Sequence, residues 1–246
     1  MTDSYFAGLE KALKEAGCFR PTLVIDRDRL DRNLERLKSR LAPQLMPRVV
    51  DKSLPSLPLI SHVMQTLATH RIMSFHLGIT VPVLAAFPQA EILFGKPMPT
   101  EAVELEFARA DRPMREALCR RVVWLVDTPE RLESLSALAR KIGTVLRIAF
   151  EVDVGLHRGG LDSPAALAAV AERARTEPFV KIEGLMAYEV HIPQVPFFAG
   201  GPKGEKARVS SRFLAFLDCL GPTERQILNT GGSLTLLTYE IGRAHV

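Results

Sequence analysis

The side chain with the clearest chemical potential in this sequence is a lysine at the end of a predicted strand. Lys52 follows an apolar run at residues 45–51, which we predict to be a buried strand because prolines punctuate the residues after it. Burial lowers the pKa of an amine, and a neutral amine can attack a carbonyl carbon to form a Schiff base. On its own the segment favours a lysine that only marks where the strand reaches water, so its role depends on the rest of the chain.

Polar side chains also gather after four further predicted strands. Taken singly, each has an ordinary explanation, such as a packing histidine, a paired loop arginine, an aromatic at a sheet rim or a simple turn. Together with the lysine, an arginine, a tyrosine and a glycine-rich loop at successive strand ends indicate a functional site. These residues are His76 after residues 71–75, Arg158 after 145–152, Tyr188 and His191 at the end of 180–188, and 229–233 after the last strand.

The last of these segments, Thr230-Gly231-Gly232-Ser233, has the composition of a phosphate-binding loop. Its two glycines remove side-chain bulk, so backbone N–H groups can approach an anion, and the hydroxyls of Ser233 and Thr235 can donate further hydrogen bonds. Phosphate sites in barrels built from strand–helix units favour the late loops. A lysine amine opposite such a loop suits pyridoxal phosphate, whose aldehyde reacts with lysine.

The elements that must position these residues alternate between short apolar runs and amphipathic segments. We predict strands at residues 22–26, 45–51, 71–75, 91–94, 122–126, 145–152, 180–188 and 226–229, and helices at residues 28–41, 57–69, 81–87, 100–110, 129–142, 164–175 and 206–220.

Strands that are apolar throughout, each followed by a helix, indicate an α/β fold with a parallel sheet covered by helices. The number of units favours a (β/α)8 TIM-type barrel over a doubly wound sheet, since no glycine-rich dinucleotide loop follows the early strands. In such a barrel the chemistry lies at the carboxyl ends of the strands. Residues 193–204, rich in proline and glycine, are predicted to be a surface loop that acts as a lid or contacts the substrate.

Composition limits the class of protein further. The chain has 246 residues, of which 47% are hydrophobic, enough for one sizeable core, and a formal net charge of +4. The basic residues are scattered without interleaved aromatics, so we expect no nucleic-acid partner but find anionic small molecules compatible. No signal peptide or membrane span is visible, and Cys18, Cys119 and Cys219 are widely spaced, which predicts reduced thiols in a cytoplasmic protein.

Five segments, in order along the chain, carry a resemblance to a known family. Residues 21–26, with the helix that contains Asn33, are similar to the family's N-terminal segment. The run from Arg48 to Ser53 keeps the spacing of the family's Arg-Pro-His-x-Lys-Thr motif, although Val49 and Val50 replace the Pro-His pair. The other segments are Glu151-Val152-Asp153-Val154-Gly155 with Arg158 and Gly160, Gly184-Leu185-Met186-Ala187-Tyr188-Glu189-Val190-His191 with Val190 replacing a glycine, and Thr230-Gly231-Gly232-Ser233.

Over residues 20–235 the chain thus resembles the D-threonine aldolase and D-serine dehydratase family, a branch of the alanine racemase-type (fold type III) pyridoxal-phosphate enzymes. The resemblance implies that Lys52 binds the cofactor as a Schiff base and is then the base at the substrate Cα. Arg158 and Tyr188 would lie near the pyridine ring and its nitrogen, and His191 near the phosphate or substrate. The cofactor-binding set is completed by Arg48 and by the phosphate-binding residues Thr230, Gly231, Gly232 and Ser233.

The leading functional hypothesis is a pyridoxal-phosphate-dependent lyase, either an aldolase or a dehydratase, acting on D-3-hydroxy amino acids such as D-threonine or D-serine. Three alternatives stay open. One is an amino-acid racemase, which needs an acid–base group on the face opposite Lys52. The others are a non-catalytic pyridoxal-phosphate carrier protein and a phosphate-binding barrel without a Schiff base.

The family continues beyond this sequence with an eighth strand and a C-terminal β domain, which could bring a divalent metal. We therefore expect residues 1–240 to form a barrel domain that is incomplete at its C-terminal end, with residues 22–26 belonging to the missing β domain. The last six residues, 241–246 (Ile-Gly-Arg-Ala-His-Val), are the translation of a common sequencing adapter. We therefore expect a truncated gene with a non-native tail. Because an open barrel has unpaired edges, we expect this fragment to be poorly soluble and inactive, and its full-length parent to be a homodimer.

Overall fold

The computed structural model describes residues 3–52 and 55–238. These residues form two compact units that divide between Arg36 and Leu37. Ser53 of the lysine-containing motif and residues 241–246, which we predicted to be a non-native tail, lie outside the described residues.

The first unit is built from two helices and the irregular segment between them. Helix α1 is Asp3–Glu15, and helix α2 begins at Arg27 and ends at Lys38. Asp26 caps α2, because its carboxylate accepts a hydrogen bond from the backbone N–H of Arg29 at 2.9 Å. The same carboxylate accepts the Tyr5 hydroxyl at 2.9 Å, so one aspartate joins the two helices.

The strand that we predicted at residues 22–26 is absent from the described structure, where this segment is irregular. A strand is stabilised by hydrogen bonds to a neighbouring strand, and no described strand pairs with this segment. Leu23 is 77% exposed, and Val24 and Ile25 are also exposed, so the apolar side chains that suggested a buried strand lie in solvent.

The second unit contains a parallel sheet whose strands are ordered as they occur in the chain, each paired with the next. This confirms the predicted α/β class and matches a (β/α)8 barrel that is incomplete. Among the described residues seven strands form, one fewer than a closed barrel needs. The strands are β1 Val49–Val50, β2 Arg71–Ser74, β3 Glu91–Phe94, β4 Val122–Val126, β5 Leu146–Glu151, β6 Val180–Met186 and β7 Ile227–Asn229.

Helices fill most of the connections between these strands. Thr128 and Ser163 cap α7 and α8 as their position before proline predicts, each accepting a hydrogen bond from a backbone N–H three residues later. The helices are α3 Leu57–Thr66, α4 Leu77–Ala86, α5 Thr100–Arg109, α6 Arg112–Arg121, α7 Pro129–Ile142, α8 Pro164–Arg175 and α9 Gly201–Leu217, with 3-10 turns at Ile192–Gln194, Phe197–Ala199, Pro222–Glu224 and Leu236–Thr238.

Several predicted boundaries were wrong. The strand expected at residues 45–51 is reduced to two residues, since Pro47 has no N–H to donate and β1 pairs only with β2 among the described strands. Helix α4 begins four residues earlier than predicted, because the side chain of His76 accepts the Gly78 N–H at 3.0 Å and caps it. His76 is therefore an exposed helix cap and not the packing histidine of the ordinary explanation.

Helix α6 was not predicted at all. Its N-cap is Asp111, whose carboxylate accepts the Met114 N–H at 2.9 Å, and Pro113 stands in its first turn. Aspartate followed closely by proline is a helix-start signal, so the sequence did contain the information.

The sheet is covered on both faces, as its continuous apolar strands predict. All five residues of β4 are buried, and Trp124 at its centre stacks on Phe94 of β3 with ring centroids 5.0 Å apart. Burial of one such side chain contributes about 1.5–3 kcal/mol. These two strands are therefore a closely packed support for their neighbours.

None of the helices in the described ranges is long and apolar enough to cross a bilayer.

One glycine in β6 controls the approach of β7. Gly184 has φ of +155°, and a Cβ at this position would lie 1.7 Å from the carbonyl oxygen of Ile227. Any side chain here would push apart two strands that are directly hydrogen-bonded to each other.

We predict that Gly184→Ala lowers the free energy of unfolding by about 3 kcal/mol or more, because it combines a backbone clash with an unfavourable φ. Urea unfolding followed by the fluorescence of Trp124, the single tryptophan, measures the change. The matched control is Gly204→Ala in α9, where the nearest atom to an added Cβ is 3.9 Å away. Equal stability of the two variants would contradict the close approach of β6 and β7.

Candidate functional site

The predicted site residues follow β1, β5, β6 and β7. All pairings in the sheet are parallel, so the carboxyl ends of these strands lie along one edge. The topology therefore brings the segments that begin at Lys52, Asp153, Ala187 and Thr230 to the same side of the second unit.

Lys52 lies two residues beyond β1 and is exposed. Its Nζ atom is 4.4 Å from the centroid of the Phe75 ring, which follows β2. The segment on its own favoured a lysine that marks where the strand reaches water, and the exposed amine beyond the short strand β1 agrees with that interpretation. The aromatic face beneath the amine attracts its cationic form and gives the side chain a preferred position.

Asp51, the residue before Lys52, is the buried member of this pair, with 1% of its surface exposed. Neither carboxyl oxygen has a hydrogen-bond partner of normal geometry among the described residues. Burial raises the pKa of Asp51, and the nearby Ser74 hydroxyl and His76 only partly oppose this effect. A buried carboxyl without partners is more stable in its neutral form.

The raised pKa of Asp51 predicts a pH-dependent stability with a defined sign. Because the pKa is higher in the folded state, the folded protein keeps a proton on Asp51 over a pH range in which the unfolded chain has released it. The stabilising contribution of the neutral acid is therefore complete below the unfolded pKa of about 3.9 and declines as pH rises through the folded pKa. Asp51→Asn removes the charged form. We expect the variant to gain stability relative to wild type between pH 4 and pH 7, by about 1.4 kcal/mol for each unit of pKa shift. Urea unfolding at several pH values tests this, and a constant difference across the range would exclude it.

Arg158 is placed by two contacts. Its guanidinium donates a hydrogen bond to Glu151 at 2.8 Å and lies 4.7 Å from the centroid of the Tyr188 ring. Glu151 is the last residue of β5 and is 3% exposed. The arginine therefore bridges the ends of β5 and β6.

The loop that carries Arg158 is held by a carboxylate. Asp153 Oδ1 accepts the backbone N–H groups of Gly155 and His157 at 2.9 and 3.0 Å, and His157 has φ of +55°. Although burial favours the neutral acid, these N–H groups lower the pKa of Asp153. The charged carboxylate thus stabilises a tight turn just before Arg158.

His191 is oriented by α9. Its Nε2 atom is 3.1 Å from Glu205 Oε1, and Arg208 donates to the other oxygen of Glu205 at 2.8 Å. Burial favours the neutral form of Glu205, yet Arg208 and His191 lower its pKa. The Nδ1 atom of His191 is buried without a partner among the described residues, so the ring is fixed from one side only.

The loop at residues 230–235 is ordered by a residue to which we had assigned no role. The carboxylate of Glu189 accepts hydrogen bonds from the Thr230 hydroxyl at 2.9 Å, the Gly231 N–H at 3.1 Å and the Thr235 hydroxyl at 2.8 Å. Glu189 is fully buried. The sequence signal was weak, since a carboxylate after a strand is usually solvated.

Tyr188 contacts the same loop from its other side. A Cβ on Gly232 would lie 2.9 Å from Tyr188 Cε2, so only glycine lets the ring pack this closely. Arg158, Tyr188 and Gly232 therefore form a continuous series of contacts across the ends of β5, β6 and β7. Ser233 lies at the exposed end of the loop.

The structure does not bring Arg48 to Lys52. Arg48 donates to Glu91 at 2.8 Å, and Glu91 is the first residue of β3. The pair therefore lies towards the amino ends of the strands, and four residues of extended chain span roughly 13 Å. Burial lowers the pKa of Arg48 and Glu91 opposes this effect. A cofactor contact by Arg48 stays a prediction to which this geometry adds no support.

A cavity of about 660 Å³ lies beside the loop. It is bounded by the segments around β1 and β2, by α9 and by residues 225–237, and it contains the predicted residues Arg48 and 230–233. Its lining also includes Val50, Arg71, Met73, Val209, Phe213, Arg225 and Leu228. Ser233 is exposed on this lining, whereas Lys52 follows a strand at the same edge of the sheet and is not among the lining residues.

A sequential parallel sheet with helices between its strands defines an α/β protein of the barrel type, incomplete among the described residues. The family described as "Alanine racemase, N-terminal domain" matches residues 25–245. The chain belongs to this family, whose members are pyridoxal-phosphate enzymes of fold type III. The resemblance read from the sequence motifs is confirmed at this level.

Individual relatives match shorter parts of the chain. A 3-hydroxy-D-aspartate aldolase from Paracoccus denitrificans is 36% identical over 64 residues, which are 26% of this chain and 16% of the relative. An alanine racemase from Mycolicibacterium smegmatis is 30% identical over 134 residues, 52% of this chain and 28% of the relative. The matches thus cover less than a third of either relative's length.

Solved structures share the fold at low sequence identity. The D-threo-3-hydroxyaspartate dehydratase from Delftia sp. HT23 has a TM-score of 0.72 at 19% identity, over 87% of this chain and 55% of that one. An alanine racemase from Clostridium difficile 630 has a TM-score of 0.65 at 14% identity, over 85% of this chain and 51% of that one. The chain therefore spans about half the length of these proteins.

Proposed function

We propose that the protein uses pyridoxal phosphate bound at the carboxyl ends of β1, β5, β6 and β7. The observation that carries the proposal is the series of contacts from Arg158 through Tyr188 to Gly232, on the sheet edge that also holds Lys52. Membership of the alanine racemase N-terminal domain family, whose enzymes depend on this cofactor, supports it.

Each residue of the proposed site has a defined task. Lys52 would hold the cofactor through its amine, by condensation with the aldehyde and loss of water, and the freed amine would accept or return the proton at the substrate Cα. The loop at residues 230–233 binds the phosphate through its exposed end at Ser233, while Thr230, Gly231 and Gly232 form the turn that presents this end. His191 lines the site near the phosphate or substrate. Bound pyridoxal phosphate supplies an electron sink for the bond broken at Cα.

Arg158 and Tyr188 form the proposed support for the pyridine ring. Arg158 is held by Glu151, so its cation is already paired when it faces the ring nitrogen. Tyr188 is clamped between Arg158 and Gly232, which fixes the plane of its own ring. Placement on strand ends makes the support rigid, and a rigid support keeps the reacting bond aligned.

For the reaction, we propose a lyase that acts on D-3-hydroxy amino acids, either an aldolase or a dehydratase. The match at 36% identity to a 3-hydroxy-D-aspartate aldolase supports this choice. The second candidate is an amino-acid racemase, supported by the longer match at 30% identity to an alanine racemase. A racemase needs a second acid–base group opposite Lys52, whereas a lyase can act with one.

We predict that Lys52→Ala abolishes a borohydride-reducible adduct with pyridoxal phosphate, because it removes the amine that forms the covalent bond. The matched control is Lys11→Ala, which deletes an exposed lysine of α1 and should retain the adduct. The measurement is the visible-edge absorbance of the mixture together with peptide mapping after reduction. An adduct of unchanged yield in Lys52→Ala would remove this lysine from the proposal.

We predict that the full-length protein consumes D-threonine, D-serine or D-3-hydroxyaspartate and does not consume the L-enantiomers. Release of glycine with an aldehyde identifies an aldolase, and release of ammonia with a keto acid identifies a dehydratase. Parallel assays with a divalent metal and with a chelator test for a metal requirement. Interconversion of D- and L-alanine without cleavage would instead establish the racemase, and stable cofactor binding without turnover would identify a carrier.

A further inference from the structure

A buried carboxylate beneath the proposed phosphate loop is not used by the proposed reaction. Glu189 follows β6 by three residues, is fully buried and accepts three hydrogen bonds from residues 230–235. Burying a carboxylate is unfavourable unless several donors stabilise it. All three donors come from one short loop, so the positions of the loop donors match the positions of the carboxylate oxygens.

The hydrogen bonds of Glu189 divide the loop into two sides. The Gly231 N–H and the Thr230 and Thr235 hydroxyls point at the carboxylate, and the Gly232 N–H is bonded to the Thr235 hydroxyl at 3.0 Å. These donors face the protein interior. Ser233 lies on the other side, is exposed and lines the cavity, and within the described residues no hydrogen bond occupies its hydroxyl.

Residues 188 and 189 both contact the loop. Tyr188 packs its ring against Gly232, while the next side chain along the chain bonds to Thr230, Gly231 and Thr235. The segment that follows β6 therefore holds the loop through two neighbouring side chains, one by packing and one by hydrogen bonds.

We propose that Glu189 is a positioning residue that keeps the loop in its anion-binding form and at a fixed distance from Tyr188. The inference rests on the proposed pyridoxal-phosphate site and adds a residue that does not touch the cofactor. Glu189 accepts hydrogen bonds from the donors on the inner side of the loop and so fixes the loop conformation. The exposed Ser233 hydroxyl is then positioned to bind a phosphate group. Preorganised donors bind an anion more tightly than a mobile loop does.

The test compares affinities for pyridoxal phosphate and for pyridoxal, which lacks the phosphate. We expect Glu189→Gln to weaken pyridoxal-phosphate binding by about tenfold or more, because an amide cannot accept from all three donors. Pyridoxal binding should stay within about twofold, since an effect confined to the loop leaves the rest of the site intact. Absorbance titration measures both affinities, and Trp124 fluorescence reports folding.

Glu183→Gln is the matched control, because Glu183 is a buried carboxylate in the middle of β6 that is paired with Arg147 and Lys181. This variant should leave the ratio of the pyridoxal-phosphate affinity to the pyridoxal affinity unchanged. If Glu189→Gln fails to fold, Thr235→Val removes one hydrogen bond to the carboxylate and should lower the ratio, while Thr235→Ser keeps the hydroxyl and should restore it.

Each outcome bears on a different statement. An unchanged ratio in Glu189→Gln and in Thr235→Val, with normal binding by wild type, would overturn the role of Glu189 alone. An equal loss in Glu183→Gln would also overturn it, by showing a general effect on the fold. Wild-type protein that does not bind pyridoxal phosphate would refute the proposed function itself, and this inference with it.

Discussion

The register between β5 and β6 shifts by one residue in the middle of the two strands. Ile148 faces Ile182, but Ala149 faces Gly184, so Glu183 is an extra residue in β6. Such a bulge reverses the face to which every later side chain of the strand points. Gly184, immediately after it, lets the backbone of β7 come close enough for hydrogen bonding.

The arrangement at the strand ends depends on this local geometry. Because β6 continues beside β7 as far as the hydrogen bond from the Ala187 N–H to Asn229, the next two residues emerge directly against the loop that follows β7. Tyr188 then reaches Gly232, and Glu189 reaches Thr230 and Thr235. A one-residue change in register would exchange their faces and separate Arg158 from its aromatic neighbour.

The amino ends and the carboxyl ends of the strands differ in the arrangement of their charged side chains. Towards the amino ends, Arg48 and Arg147 pair with Glu91, and Arg147 also donates to Glu183 at 2.9 Å. Although burial favours neutral acids, these arginines lower the pKa of both glutamates, so the ions are held as pairs. At the carboxyl ends, by contrast, Lys52 and Ser233 are exposed, and the buried carboxyl of Asp51 has no hydrogen-bond partner of normal geometry in the part of the chain that the structure describes. The amino ends therefore serve stability, and the carboxyl ends keep groups accessible to a ligand.

The sequence by itself determined the parallel α/β class, the order of the strands, most helix starts and the family, because apolar runs, capping residues and motifs act locally. It also determined which residues stand at the strand ends, including Lys52, Arg158, Tyr188 and the loop at 230–233. Only the tertiary structure decided which of them meet. It paired Arg48 with Glu91 far from Lys52, left Lys52 in solvent and buried Asp51, and it revealed Glu189 as the partner of the loop. These outcomes depend on register, bulges and the burial of single side chains, which arise from contacts between segments distant in the chain and leave little trace in any one of them.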